Sequence, residues 1–423
     1  MTRPILVCIA DDFTGATDLA NNLVRTGKRV IQTISIPSGP LKEDADAVVV
    51  ALKSRTIAAS EAVAQSLPAL AWLRAQGATQ IYFKYCSTFD ATPQGNIGPV
   101  TDALMDALGT DFTIACPAFP ENGRTVFKGY LFVGDELLHE SGMRNHPLAP
   151  MTDSNLVSVL QSQTQRRVGL FDYRTVSQGT AAIEKRIAAP RAAGISMAVV
   201  DAISNDDLRG MGLALVGFPL ITAGSGVAIG LGIQGTGTSE LEAAKLPQAK
   251  GLRAIVSGSC STATNGQVVD FLAAGGAAFA EDPMLLAQGV DVQAKALTWA
   301  NERLANRPAL IYATAQPDAV RAVQSTLGVD KAGSMVEHVL AGITRGPVED
   351  GVRQLIVAGG ETSGACVQAL DITSMRMGPQ IAPGLPWCHA HSPCAPQTGL
   401  HITLKSGNFG TKDFFTQAFK VLG

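Results

Sequence analysis

The sequence predicts an α/β protein of two domains, each a mainly parallel sheet flanked by helices, with an active-site cleft between them. Three observations predict it. The chain has 423 residues, more than one hydrophobic core usually organises. Short, wholly apolar runs alternate with helical patterns, as expected of strands buried on both faces. This rhythm lapses once, over residues 230–251, and then restarts.

Taken in order, strands are expected over residues 5–10, 30–36, 47–52, 81–84, 113–116, 168–170, 197–201 and 219–222. Helices are expected over 16–26, 60–76, 97–108, 154–163 and 175–189. The stretch GLGIQGTGTSELEAAKLPQAKG then mixes Gly, Thr and Pro with late charges, which suits a connection. Beyond it strands fall at 254–257, 309–313, 355–358 and 402–405, and helices at 262–274, 290–305, 334–343, 363–369 and 412–420. The domains are therefore set at 1–230 and 252–423, with a linker at 231–251.

Composition narrows the function classes. Hydrophobic residues make up 46% and charged residues 16%, enough apolar surface for packed cores. Net charge is −3 and no basic run of five occurs, so no nucleic-acid partner is expected. Asp11 and Asp12 interrupt the first apolar run too early for a signal peptide. Residues 211–232 are uncharged and long enough to span a bilayer, but Gly217, Pro219, Gly224, Ser225, Gly226 and Gly230 punctuate them. A buried strand followed by a glycine-rich turn is the expectation there, and no membrane partner. The seven cysteines are scattered without a CxxC pair, which fits reduced thiols and a cytoplasmic protein. Cys388, His389, His391 and Cys394 form the one dense cluster, in what reads as a Pro-rich loop with no second ligand pair. No metal ligands are assigned.

In open α/β sheets ligands gather beyond the carboxyl ends of the strands. Four motifs stand there. In Ala10-Asp11-Asp12-Phe13-Thr14-Gly15-Ala16, two carboxylates end the first strand and a small-residue turn opens a helix. A carboxylate here either accepts a hydroxyl proton or caps the helix, and the residue types alone do not choose. Lys84 ends an apolar strand and is followed by Ser87, Thr88 and then Asn96, a cation with hydroxyl and amide donors suited to a carboxylate. Arg55 offers a second cation. Residues 116–125 and 140–147, with Arg124, Arg144 and His146, are rich in polar and turn residues. In the second half, Ser257-Gly258-Ser259-Cys260-Ser261, Gly359-Gly360-Glu361-Thr362-Ser363-Gly364 and Lys405-Ser406-Gly407-Asn408 each follow a strand. Small residues let backbone approach phosphates, and helix N-termini complement their charge. Neither a GxxxxGK[ST] loop nor a strand-linked GxGxxG is present, which disfavours P-loop and dinucleotide enzymes.

ADDFTGATD at 10–18, KYCSTFD at 84–90 with GNIGP at 95–99, and SGMRNHPL at 141–148 resemble the four-carbon acid sugar kinase family. GGETSG at 359–364, GPQIAPGLPW at 378–387 and LKSGNFG at 404–410 resemble its C-terminal half. KYCSTFD followed by GNIGP is similar to the branch acting on 3-oxo-tetronate. Ala91, where a hydroxyl residue is expected, and the stretch 389–399, which reads as an insertion, depart from the pattern.

The resemblance implies transfer of the ATP γ-phosphoryl, with Mg²⁺, to the C4 hydroxyl of a small-molecule sugar acid. It places ATP contacts at Ser259, Gly360, Glu361, Thr362, Ser363 and Gly407. It places the sugar acid near Asp11, Asp12, Arg55, Lys84, Ser87, Thr88 and Asn96, with Asp12 or Asp11 as base or metal ligand and with Lys84 and Arg55 on the carboxylate. D-Threonate or D-erythronate as substrate, and a non-catalytic sugar-acid-binding protein, are the competing expectations. A homo-oligomer is compatible with the sequence, which does not fix the oligomeric state.

Overall fold

The computed structural model describes residues 6–41, 43–145, 150–192, 194–231, 239–305 and 307–423. Among them the chain divides into two compact units, residues 1–244 and 245–423. Residues 232–238 of the expected linker lie outside the described set, and its later part holds a short helix, Glu240–Ala243. No described helix is long and apolar enough to cross a membrane.

In the first unit the strands are β1 (Leu6–Ala10), β2 (Val30–Ile34), β3 (Ala47–Ala51), β4 (Gln80–Lys84), β5 (Thr113–Cys116), β6 (Arg124–Phe127), β7 (Tyr130–Val133), β8 (Glu136–Leu137), β9 (Val168–Phe171), β10 (Met197–Val200) and β11 (Leu220–Ala223). The main sheet runs β2-β3-β1-β4-β11-β5-β10-β9, and its pairs are parallel. AVVVA is buried end to end and LVCIA from Val7 onward, as such apolar runs demand when helices cover both faces. Ala10 stands opposite Ala51 on one side and Lys84 on the other, so β1, β3 and β4 end level. A second, antiparallel sheet, β6-β7-β8, follows β5. It was not expected, because its three strands are short and mostly half-exposed or exposed, without a continuous apolar run.

The uncharged run at 211–232 is not one strand and a turn. It comprises the end of helix Asn205–Ala214, strand β11 and the short helix Ala228–Leu231. Gly212 and Gly230 let the two helices touch backbone to backbone, where a Cβ on either would collide. The expected helix 175–189 is two pieces, Tyr173–Val176 and Thr180–Ala192, broken at Gly179 with φ of 84°.

The second unit carries β12 (Leu252–Ser257), β13 (Ala277–Ala280), β14 (Ala309–Tyr312), β15 (Val352–Ala358), β16 (Ser374–Ala382), β17 (Leu385–Ala390) and β18 (Leu400–Lys405). Their order is β13-β14-β12-β15-β18-β17-β16, parallel as far as β18 and antiparallel beyond it. Cys388 and His389, expected in a loop, therefore lie within β17. The Cys388 thiol is buried against Met377. No group of three or more His, Cys, Asp or Glu able to hold a metal occurs among the described residues.

One face of this sheet packs on Phe414, Phe415 and Phe419 around the fully buried Trp387, whose Nε1 donates to the Ala418 carbonyl at 2.9 Å. Trp387→Ala leaves a large cavity and an orphaned carbonyl. The expected cost is about 3–5 kcal/mol, read as a lower urea midpoint of the far-ultraviolet circular dichroism transition.

Candidate active site

At the level ends of β1, β3 and β4, the backbone is pinned before any side chain is considered. The Asp11 N–H donates to the Lys84 carbonyl at 3.1 Å, and the N–H groups of Ser54 and Arg55 donate to the Asp11 carbonyl at 2.9 and 3.1 Å. Helix Phe13–Arg25 opens immediately afterwards, with Asp12 as its cap: Asp12 Oδ1 accepts from the Gly15 N–H at 2.7 Å and Oδ2 from the Thr14 hydroxyl at 2.9 Å.

Capping is only part of what Asp12 does. The Arg55 guanidinium grips both carboxylates, with Nε and Nη2 on Asp11 at 2.9 and 2.7 Å, and Nη1 and Nη2 on Asp12 at 3.0 and 2.6 Å. Two adjacent carboxylates just past the end of a buried strand repel each other and lose hydration, and a planar fork with five N–H groups answers both problems. Burial pushes the Asp12 carboxyl up, but the charges of Arg55 and Lys84 outweigh it and hold it below the usual range. Burial likewise opposes the Arg55 charge, and Asp11 and Asp12 reverse that effect.

Asn96 spends its amide on the carbonyls of Ser54 (2.6 Å) and Arg55 (3.2 Å), so it holds the arginine loop in place. Thr88 is buried and donates to the Cys86 sulfur at 3.5 Å, while Ser87 is half-buried in the same turn. That turn places Phe89 and Asp90 at φ of 64° and 42°, a left-handed pair costly for residues with a Cβ. Ala91 beside it is buried.

Lys84 behaves differently from Arg55. It is 2% exposed, its Nζ lies over Gly15 where a Cβ would collide with it, and no described residue forms an ion pair or hydrogen bond with its ammonium. The structure thus brings Asp11, Asp12, Arg55 and Lys84 together, with Asn96 behind them. Sequence reasoning passed over Asp18, a buried carboxylate farther along the same helix. Its signal was the spacing of Thr14 and Asp18, four residues apart on one helical face. His146 lies outside the described residues.

In the second unit the three Gly/Ser loops meet. The N–H groups of Gly258 and Ser259 donate to the Ala358 carbonyl at 3.0 and 3.2 Å, and the Gly359 N–H donates to the Lys405 carbonyl at 2.9 Å. A Cβ on Gly258 would strike the Thr362 hydroxyl. One on Gly359 would approach the Ser259 nitrogen to 3.1 Å, and one on Gly407 would lie 2.7 Å from the Ser259 hydroxyl. Ser259, Thr362 and Gly407 are therefore neighbours. Gly360, Glu361 and Ser363 share the first turn of helix Gly360–Ala369, and the Ser363 hydroxyl is buried without a partner among the described residues.

Lys405 was expected only as part of a motif. It is fully buried, and its ammonium donates to Thr264 Oγ1 at 2.9 Å and to the carbonyls of Ser406 and Gly407 at 3.0 and 2.9 Å. Burial pushes it down to about 7. Two helix N-termini, small loops and a cation beneath them make a phosphate cradle.

Comparison with known proteins agrees with this division. Residues 6–231 match the model of a sugar-binding N-terminal domain, and residues 254–415 that of a nucleotide-binding C-terminal domain. The chain belongs to the four-carbon acid sugar kinase family. A Pseudomonas fluorescens relative named 3-oxo-tetronate kinase is 55% identical, over 98% of this chain and 96% of its own. One of the same name from Burkholderia multivorans is also 55% identical, over 100% and 98%. Among solved structures, a Salmonella typhimurium protein of 43% identity aligns with a TM-score of 0.85 over 98% of both chains. A Haemophilus influenzae protein of 42% identity gives 0.78 over 99% and 100%.

The fork generates a sharp expectation for stability. Arg55→Met leaves Asp11 and Asp12 side by side without their counter-charge. At pH 7 it costs about 2–4 kcal/mol, discounting for the partly exposed guanidinium. Asp12 is depressed in the fold, so its contribution is present above the unfolded carboxyl value and lost as pH falls through the folded one. The wild-type-to-variant gap in urea unfolding should therefore narrow below about pH 4.

Proposed function

We propose that this chain transfers the γ-phosphoryl group of ATP to the C4 hydroxyl of 3-oxo-tetronate, in the cytoplasm. The observation that carries the reading is the pair of built sites, one in each family-matched domain. A spare, buried ammonium stands beside a capped helix N-terminus in the sugar-binding unit, and a three-loop cradle stands in the nucleotide-binding unit. The substrate follows from the relatives named 3-oxo-tetronate kinase, 53–55% identical over nearly the whole chain. The compartment follows from seven cysteines, all free thiols.

In this reading residues 1–230 hold the sugar acid and 252–423 hold ATP. Lys84 takes the substrate carboxylate. Arg55 holds Asp11 and Asp12 fixed, which sets the direction of the helix N-terminus beside the bound acid. Ser259, Gly407 and the first turn of helix Gly360–Ala369 line the phosphates. Mg²⁺ suits ATP chemistry by neutralising phosphate charge and commonly keeps several waters with one or two carboxylates. Asp12 and Asp11 are the carboxylates that would hold it, and no cluster of three or more potential ligands occurs among the described residues. The chain's own work is positioning and charge stabilisation, the main demands of phosphoryl transfer.

The test is ADP release with ATP and Mg²⁺ against 3-oxo-tetronate, D-threonate and D-erythronate. Turnover confined to the 3-oxo acid supports the assignment, and turnover on either tetronate moves the substrate within the family. Silence on all three from folded protein leaves a non-catalytic binder. Lys84→Met should raise the sugar-acid KM at least about tenfold, the loss of one charge-assisted contact, and leave the ATP KM unchanged. Asp12→Asn should lower kcat by orders of magnitude while the protein stays folded, and full activity in it would refute a role for this carboxylate in the reaction.

A further inference from the structure

Three polar groups of the first unit keep a hydrogen-bonding position unused among the described residues. Asp18 is 4% exposed. Its Oδ2 accepts from the Ser225 hydroxyl at 2.5 Å, and its buried Oδ1 has no hydrogen-bond partner among the described residues. Arg124 donates through Nη1 to the Asn122 carbonyl, while its buried Nε–H meets no acceptor. The Lys84 ammonium is the third.

These groups come from separate elements. Asp18 lies on helix Phe13–Arg25, Lys84 ends β4, Arg124 opens β6, and Ser225 follows β11. The charges of Lys84, Asp12 and Arg124 all act on the Asp18 carboxylate, yet neither cation closes an ion pair with it among the described residues. A purely structural aspartate would close on one of them, because an unmet buried carboxylate oxygen is costly. A carboxylate and two cations held near one another but apart are matched by a small molecule with an anionic group and a hydroxyl.

We propose that Asp18 contacts the substrate: its free oxygen accepts a hydroxyl hydrogen of the bound hydroxy acid, whose anionic end lies with Lys84 and Arg124. This rests on the reading of the first unit as the sugar-acid site, and it adds Asp18, which the motifs left without a role, and Arg124, a candidate anion clamp of the third motif. The acceptor is the ionised form of Asp18. Burial carries that carboxyl up to about 6, against the lowering effects of Lys84, Ser225 and Arg124 and with the raising effect of Asp12. Sugar-acid capture should therefore weaken as pH falls below about 6.

The experiment is steady-state kinetics of the full chain from pH 5 to 8, varying the sugar acid and ATP separately. Asp18→Asn keeps the shape and removes the charge. Sugar-acid kcat/KM should fall about 10- to 100-fold through KM, the ATP KM should stay within twofold, and the acid limb near pH 6 should disappear. Ser225→Ala removes a donor that lowers Asp18, so the limb should move to higher pH. It also supplies the readout if Asp18→Asn does not fold. An active wild type with unchanged sugar-acid KM in Asp18→Asn, or with an unmoved limb in Ser225→Ala, overturns this role alone. A wild type silent on every sugar acid overturns the kinase reading and this role with it.

Discussion

The grip of Arg55 on Asp11 and Asp12 is the interaction from which the rest of the first site follows. Two carboxylates in succession at the end of a buried strand are unstable without a counter-charge, since each is poorly hydrated and lies beside the other. The level ends of β1 and β3 bring Arg55 within reach, its backbone N–H already bonded to the Asp11 carbonyl. Four side-chain hydrogen bonds then satisfy the fork. Arg55 occupies the oxygens of both carboxylates, so Lys84 adds its charge to the field on Asp12 without closing an ion pair among the described residues. The ammonium is left over Gly15 with no hydrogen bond or ion pair among the described residues, and a cation so placed at the strand ends is what an anionic substrate requires.

The second unit solves a different problem with similar means. Triphosphate needs backbone N–H groups at close range, so side chains must be absent from the approach. Gly258, Gly359 and Gly407 stand where the three loops press on one another, and Gly359 adopts φ of 122°, open only to glycine. Loops this bare have little side-chain packing to fix them. Lys405 supplies the fixing from below, tying the Gly407 carbonyl to Thr264, while the Ser261 hydroxyl donates to the same carbonyl at 2.6 Å.

Much of this was legible in the sequence because parallel strands buried on both faces leave an unmistakable apolar run. VVVA, IYFK and IVAG could hardly be anything else, and the motifs following them sit at the strand ends in the structure. The antiparallel pieces were not legible. β6 to β8 are short and half-exposed, and β16 reads SMRMGPQIA, with register shifts around its Gly and Pro. The site was legible as a set of places rather than as a set of roles. Asp12 was expected either to cap or to do chemistry. It caps, and it is also paired, which no spacing rule reveals because Arg55 is far away in sequence. Asn96 shows the same limit: its amide faces the arginine loop, a fact of tertiary packing alone.

Lys84 and Lys405 make the reason plain. Each is a single lysine closing a buried or almost wholly buried strand with a parallel neighbour, and the sequence signal is the same in both. In the second unit the loop beyond the strand curls back and presents two carbonyls and a threonine hydroxyl, so the ammonium is consumed internally. In the first unit the chain beyond Lys84 passes through the left-handed pair Phe89 and Asp90, and Asp12, which shares the space over Gly15 with the ammonium, already belongs to arginine. One lysine becomes a strut and the other a binding group. What separates them is not the residue or its strand but whether the neighbouring backbone offers acceptors, and that is decided only when the loops are in place.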